Sequence, residues 1–491
     1  MTLELRDLES GETQVFIDAP MTSENRRAVR EKWNQADDAN PQPRGGSLNQ
    51  SAALELFRVA LNDRWAYFGA VNVDFNQHIK ELEQRVANGI TDNKFAIGLQ
   101  KIVALGMDGH SGVSGFRLED GYLPFLVEPV DERFVAFEPD RTKLVDPEFP
   151  YLSRIDGVEI DRWLEAASTI VPHGSPQYIK RHALRELRNV NFVRSEIGLA
   201  KTNTLTVKLE SADGASKVVR ELSLATRRPI YGEWPRSQSR LIGDDIGYLR
   251  ISSMNQQAVA EIREWMPRFR ETRGLIVDVR DNGGGSRDAL REMFSYLMDE
   301  HDRPSVMNCA AYRLHPSRSV DHLVPRFMYR ADSDVWTAAE RRAIDVFRQS
   351  FRPEWTPPAN EFSEWHYMVL NRLSRADLYH YDKPVIVLMN AKCFSATDIF
   401  LAGLKGWRNV TLLGTASGGG SARSETVSLG GSLSIRLASM ASFQADGKLF
   451  DGHDVEPDVT VEQSPESFVG NEDTQLSEAV RLLSNSDNGQ D

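Results

Sequence analysis

Apolar residues along this chain change from a helical period to strict alternation and then to short unbroken runs, and the changes mark where its parts begin. Leu54, Phe57, Leu61 and Trp65 recur at the spacing of one helix face, as do Phe75, Ile79, Leu82 and Val86, with Leu99, Ile102 and Val103 following. This predicts a helical domain over residues 51–114 that ends in the glycine-rich turn "GMDGHSGVSG". Ahead of it, residues 1–50 begin with possible short strands and run into "NQADDANPQPRGGSLNQ", a polar Pro- and Gly-rich linker. Between about 120 and 225 the pattern becomes short alternating runs such as "YLPFLVEPV", "RFVAFEP" and "NTLTVKLES", with "ADG" as a hairpin signal before "KVVRELSL". "SRIDGVEIDRWLEAA" reads as a hairpin followed by a helix, so a small mixed module is expected here.

From residue 240 onward strands and helices alternate. "IGYLRISSM", "AVAEIREWMPRFRET", "GLIVDVR" and "SRDALREMFSYLMDE" give strand, helix, strand, helix, and "PVIVLMN" with "TDIFLAGLKG" repeats the unit before "VTLLGT" and "SLSIRLASM". That order predicts an α/β core. An interruption at about 301–380 carries the amphipathic helix "VWTAAERRAIDVFRQSF" and aromatic-rich loops, which suits either a substrate-shaping lid or a plain helical insertion. After residue 463 one terminal helix and a polar end remain, and no internal repeat is found.

Composition narrows the function. The chain has 491 residues, a 41% hydrophobic fraction and a formal net charge of -13, enough for several cores and without the basic stripe that nucleic acid requires. Nucleic acid is therefore not an expected partner. Two cysteines, Cys309 and Cys393, lack any framework spacing, which fits a reducing compartment. No signal-peptide pattern and no membrane-length apolar stretch are found, so a cytoplasmic protein is expected.

Three stretches offer chemistry. "NAKCFSATDIF" puts Ser395 where a buried strand hands over to a helix, a place for a nucleophile or for an N-cap. "GLIVDVRDNGGGSRDAL" places Gly283, Gly284 and Gly285 between a strand and a helix, where backbone N–H groups can approach a phosphate or an oxyanion, or simply make a tight turn. It is neither a Walker loop nor a dinucleotide fingerprint. "GMDGHSG" sets His110 in a flexible turn, as a general base or as an idle surface imidazole. "ADGKLFDGHDVEPDVTVE" carries Asp451, a candidate to orient a histidine, and His453, a rival base. No paired-His or Cys/His cluster points to a metal, and no cofactor is implied.

Read in order, "GLIVDVRDNGGGS", "NAKCFSATDIF", "LLGTASGGGSARSETVSLGG" and "DGHDVEPDVTV" resemble the C-terminal processing (tail-specific) serine peptidase family over about residues 240–465. The resemblance implies a multidomain α/β protein. Its parts would be an N-terminal segment (1–50), the helical domain (51–114), a PDZ-like module (115–228), a ClpP/crotonase-like peptidase core (240–465) with a helical insertion at about 301–380, and a C-terminal helix and tail (466–491). It further implies Ser395 as nucleophile and the backbone N–H groups of Gly284 and Ala396 as oxyanion donors. The better-known bacterial branch takes its base from a lysine downstream of the serine, within the segment that here reads "GTASGGGSARSE" and contains none. The chain is closer to the branch of the tricorn core and retinoid-binding-protein-like relatives, which implies His110 as base and Asp451 as its acidic partner. That branch commonly has glutamate at the acid, and some members place a serine where this chain has Gly109. The implied substrate is a peptide or unfolded protein tail, and related peptidases often assemble as homo-oligomers. The alternative is an inactive ligand- or peptide-binding protein on the same scaffold.

Overall fold

The computed structural model describes residues 3–6, 13–16, 48–243 and 245–485. Residues 1–48 and 49–491 are separate compact units. In the first, Leu3–Arg6 pairs antiparallel with Thr13–Phe16, and most of the linker sequence before Leu48 lies outside the described residues.

The larger unit begins with three helices, Gln50–Arg64, Phe75–Ala87 and Asp92–Ala104, each started by a side-chain cap from Asn49, Asp74 or Thr91. The periodic residues form their shared interior: Leu54, Phe57, Leu61, Phe75, Ile79, Leu82 and Leu99 are all buried. The next part is a mixed module. Strands Leu126–Val130, Arg133–Phe137, Tyr151–Ile155, Thr204–Glu210 and Lys217–Ser223 form an antiparallel meander, covered by helices Ile160–Ser168, Pro176–Glu186 and Val190–Ile197. The hairpin in "SRIDGVEI" is present, with Asp156 and Gly157 both at positive φ (48° and 76°), as a tight two-residue turn demands. The "ADG" turn likewise joins Glu210 to Lys217.

The core is an open six-stranded sheet, Arg240–Ile242, Ile246–Arg250, Gly274–Asp278, Val385–Met389, Val410–Gly414 and Val459–Thr460. Every strand after the first is parallel to its neighbour, and the strands lie in chain order. Gly274–Asp278 and Val385–Met389 are buried on both faces, which explains their unbroken apolar runs. Helices Gln256–Phe269, Asp288–Leu297 and Ala396–Leu404 supply one large apolar layer, and helix Thr474–Asn485 covers the opposite side with Ala479 and Leu483.

Two expectations change. The insertion is not mainly helical. Besides the capped helix Ala338–Ser350 it contributes strands Ser305–Tyr312, Tyr329–Arg330 and His366–Leu370, which join Met440–Phe443 in a separate four-stranded antiparallel sheet. Those strands hide in sequence because "NCAAY" and "HYMVL" are buried throughout and show no alternation. The ClpP/crotonase-like label for the core is also corrected. It came with the family resemblance, whereas strand-helix alternation by itself predicts only an α/β core, and the observed core is one open sheet wound in chain order beside that second sheet.

The carboxyl end of strand Gly274–Asp278 is held by a buried ion pair. Arg280 donates from Nε and Nη2 to Asp278 at 3.0 and 2.6 Å and from both terminal nitrogens to Asp473 at 2.8 Å, while Tyr248 Oη donates to Asp278 at 2.6 Å. Burial opposes ionisation of Asp278, but the Arg280 and Arg250 guanidiniums and these hydrogen bonds outweigh it and lower its pKa to about 2. Asp278→Asn is expected to destabilise the protein by about 1.5–3 kcal/mol in urea unfolding, because the buried Arg280 guanidinium loses one of its two carboxylate partners. Because the folded pKa lies below the unfolded one, the stabilisation is present above ~3.9 and is lost as pH falls toward about 2. An acid titration of the wild type should lose stability in that window, and the variant should lose less.

Candidate active site

Ser395 stands between strand Val385–Met389 and helix Ala396–Leu404 in a backbone conformation with φ 62° and ψ −119°. A non-glycine residue there stores about 1–3 kcal/mol of strain. The hydroxyl makes no capping bond to its own helix. Asp398, three residues on in the first turn of that helix, is fully buried and accepts from Gly419 N at 3.2 Å. Burial pushes the Asp398 pKa up to about 8. The Ser395 Oγ lies 3.0 Å from His110 Nε2.

His110 is held on several sides. Its ring stacks on Phe394, with centroids 4.7 Å apart. Its N–H donates to Asp108 Oδ1 at 2.8 Å, and its carbonyl accepts from Arg436 Nε at 2.7 Å. Gly109 is required beside it, since a Cβ there would sit 2.7 Å from the Phe394 ring and 2.8 Å from that of Tyr178. A serine at this position, as in some of the resembling sequences, has no room.

Nδ1 of His110 is buried and without a hydrogen-bond partner. It faces two carboxylates, Asp451 Oδ1 at 3.8 Å and Asp108 Oδ1 at 3.9 Å. Both acids are almost completely buried. Asp451 accepts from Tyr67 Oη at 2.7 Å, Ser421 N at 3.2 Å and Gly109 N at 3.3 Å. Asp108 accepts from Trp65 Nε1 at 3.0 Å, and from the Ser111 hydroxyl. Burial, followed by the nearby Asp451 charge, raises the Asp108 pKa above its ordinary value. Asp108, His110 and Asp451 also form a group that could hold a cation, their ligand atoms lying within 4.8 Å of one another. The hydrogen bonds already made by both carboxylates suit a relay to Nδ1 at least as well.

The glycine turn abuts the serine. Gly284 has φ 97°, and a Cβ on it would lie 2.7 Å from Ser395 Cβ and 2.9 Å from Ala396 N. Its N–H donates to Asn282 Oδ1 at 2.9 Å, so that donor is engaged within the turn. Ala396 opens the helix, where N–H groups lack intrahelical acceptors. Gly283 faces open space and lines the adjoining cavity. In the segment where the lysine-dependent branch has its base, Gly420 has no room for a side chain: a Cβ would meet Phe394 at 2.3 Å and Asp451 Oδ1 at 3.1 Å.

The structure thus brings together Ser395, His110, Asp451, Gly284 and Ala396. His453 lies elsewhere, bonded through Nε2 to Glu354 at 3.0 Å. Sequence reasoning missed Asp108, although it stands two positions before His110, and it missed Tyr67 and the role of Trp65, which it reads only as part of a helical face.

Residues 245–461 match Peptidase family S41. A carboxy-terminal-processing protease of Bartonella bacilliformis is 33% identical over 90 residues, a match spanning 18% of this chain and 21% of that protein. Among solved structures, mature CPAF superposes with a TM-score of 0.61 at 17% identity, covering 89% of this chain and 98% of the other. Mature CPAF complexed with lactacystin gives 0.61 at 17% identity, covering 88% and 98%. These likenesses establish a CPAF-type multidomain α/β fold with a PDZ-like module, in place of the ClpP/crotonase-like core expected from sequence. Residues 245–461, a little under half of the chain, are thus similar to Peptidase family S41.

Proposed function

We propose that this protein is a serine peptidase that cleaves peptides or unfolded protein tails through an acyl-enzyme on Ser395. The observation that carries the proposal is the 3.0 Å contact between His110 Nε2 and a Ser395 hydroxyl that its own helix does not use. His110 Nε2 takes the hydroxyl proton as Oγ attacks the scissile carbonyl. The carbonyl oxygen becomes an anion beside the Ala396 N–H and the glycine turn. His110 then gives the proton to the departing amine, and a water repeats the sequence in reverse to release the acid.

Asp108 and Asp451 act on the other ring nitrogen. At 3.8–3.9 Å they orient the imidazole mainly by charge. Two buried carboxylates repel each other, and an imidazolium between them relieves that repulsion, so their stabilisation grows as the transition state forms. Peptide chemistry of this kind needs no cofactor.

Ser395→Ala is expected to lower kcat/KM on a peptide library by on the order of 10⁴–10⁶ without changing the melting temperature. A fluorophosphonate probe should label the wild type and not this variant. Absence of labelling in a folded wild type would instead favour a non-catalytic binding protein. Gly284→Ala should reduce kcat about 10²-fold, because the added methyl displaces Ser395. His453→Ala should leave the rate unchanged, since that ring pairs with Glu354.

Asp108→Asn and Asp451→Asn are each expected to lower kcat about 10–100-fold. That is less than the ~10⁴ loss when a single directly bonded acid is removed, because each leaves the other in place. The double variant should approach the larger figure. A neutral outcome for either single change would assign that carboxylate to structure alone.

A further inference from the structure

Three side chains behind the catalytic pair present a metal-ligand set to one another. His110 Nδ1 is buried and makes no hydrogen bond, with Asp451 Oδ1 3.8 Å and Asp108 Oδ1 3.9 Å from it. The ligand atoms of the three residues lie within 4.8 Å of one another. Zinc takes imidazole nitrogen and carboxylate oxygen at about 2.0–2.2 Å, so two ligands of one ion stand at most ~4.2 Å apart. Both nitrogen–oxygen distances are already inside that limit.

The surroundings hold the two acids by their other oxygens. Asp451 Oδ2 accepts from Tyr67 Oη at 2.7 Å and from Ser421 N at 3.2 Å. Asp108 Oδ2 accepts from Trp65 Nε1 at 3.0 Å, from Ala438 N at 3.3 Å and from the Ser111 hydroxyl. Each Oδ1, the oxygen turned to Nδ1, accepts a single backbone N–H, from Gly109 at 3.3 Å or from His110 at 2.8 Å, and so keeps a lone pair. Outer donors of this kind are what orient carboxylate ligands. Both carboxylates are buried and, among the described residues, neither is ion-paired with a lysine or an arginine. Buried charges are paired or coordinate metals, and two carboxylates with one dication make a neutral group.

We propose that Asp108, His110 Nδ1 and Asp451 form an inhibitory site for a zinc-type divalent ion. It rests on the peptidase reading above and adds to it a control of the same site. To act as base, His110 carries its proton on Nδ1 and leaves the Nε2 lone pair open to the Ser395 hydroxyl. An ion on Nδ1 takes the place of that proton, which moves to Nε2, and Nε2–H then donates to Ser395 Oγ across the 3.0 Å contact. The imidazole stays neutral in this exchange but has no lone pair left for the hydroxyl proton. Magnesium and calcium prefer ligand sets made of oxygen alone and do not compete for Nδ1. A cavity of about 430 Å³ reaches Gly109 and Ser111, on either side of His110, and brings solvent ions up to the ring.

Binding is read on the Ser395→Ala protein, by calorimetric titration with zinc chloride and by melting temperature, so that turnover plays no part. One ion should bind per chain and raise the melting temperature. Asp108→Asn, Asp451→Asn and His110→Gln should each weaken binding about a hundredfold or more, since loss of even an outer partner costs about 10–100-fold. His110→Gln keeps the test decisive if a buried asparagine prevents folding. In the wild type, zinc should block fluorophosphonate labelling and a chelator should restore it, while magnesium and calcium should have no effect. Unchanged zinc affinity in a folded His110→Gln protein assigns the ion to surface groups and overturns the proposal, as does saturation with zinc that leaves labelling intact. Failure of the peptidase reading appears separately, as absence of labelling in the metal-free wild type, and the titration of the Ser395→Ala protein still decides the ion site.

Discussion

The contact between His110 Nε2 and Ser395 Oγ joins two residues 285 positions apart in the chain, and much of the surrounding structure keeps it at 3.0 Å. The strand before Ser395 and the helix after it hold the serine in a strained conformation, and the strain is sustained because both neighbours are buried. Phe394 lies at the centre of the arrangement. Its ring carries the imidazole of His110, packs 5.2 Å from Tyr178, and occupies the space that side chains at Gly109 and Gly420 would need. Glycine at those positions is a requirement of packing around one aromatic ring. The same ring explains why neither position carries a side chain.

The two buried acids extend the constraint into the helical domain. Trp65 and Tyr67 follow directly on the first long helix, and each donates to one of the carboxylates that face His110 Nδ1. Next to them Ala66 N–H binds the Ala438 carbonyl at 2.9 Å, at the end of the strand that carries Arg436. The helical domain therefore supplies the donors that keep a carboxylate pair desolvated beside an imidazole. Removing such donors would leave buried acceptors unsatisfied, at about 1–3 kcal/mol each. Stability of this region and electrostatics of the site are one property.

Sequence made the helices, the hairpins and the strand-helix alternation of the core legible because each has a local cause: apolar periodicity, an Asp-Gly turn, an unbroken buried run. Ser395, His110 and Asp451 could be named because they sit in glycine-punctuated turns at element ends. Asp108 could not be separated from ordinary turn aspartates, since its significance depends on Asp451 arriving from 343 positions later in the chain. Trp65 was legible as apolar and buried, but its indole N–H finds a partner only in three dimensions. The insertion was misjudged for a related reason. Its strands are buried on both faces, so the alternation that identifies a half-exposed strand is absent. The Gly284 N–H is engaged by Asn282, a detail of turn geometry to which residue identity gives no access.

The mixed module is built into the same machinery. Lys392, three residues before the serine, donates to Glu128 on the module's first long strand at 2.6 Å and to Asp281 at the start of the glycine turn at 3.2 Å. Burial works against ionisation of Glu128, but the Lys392 and Arg141 charges outweigh it and lower its pKa. Asn390 closes the group by accepting from Asp281 N at 3.0 Å and donating to its carboxylate at 2.8 Å. One lysine thus ties the module, the serine turn and the glycine turn together in a half-buried setting, where charge pairs are screened less than on the surface. Helix Pro176–Glu186 completes the link from the other side, with Tyr178 Oη on the Gly109 carbonyl at 3.1 Å and Arg181 on the Lys392 carbonyl. A shift of this module would move Tyr178 and Arg181 against the two turns that carry His110 and Ser395. The module and the turns that would cleave a polypeptide are therefore coupled by direct hydrogen bonds and ion pairs.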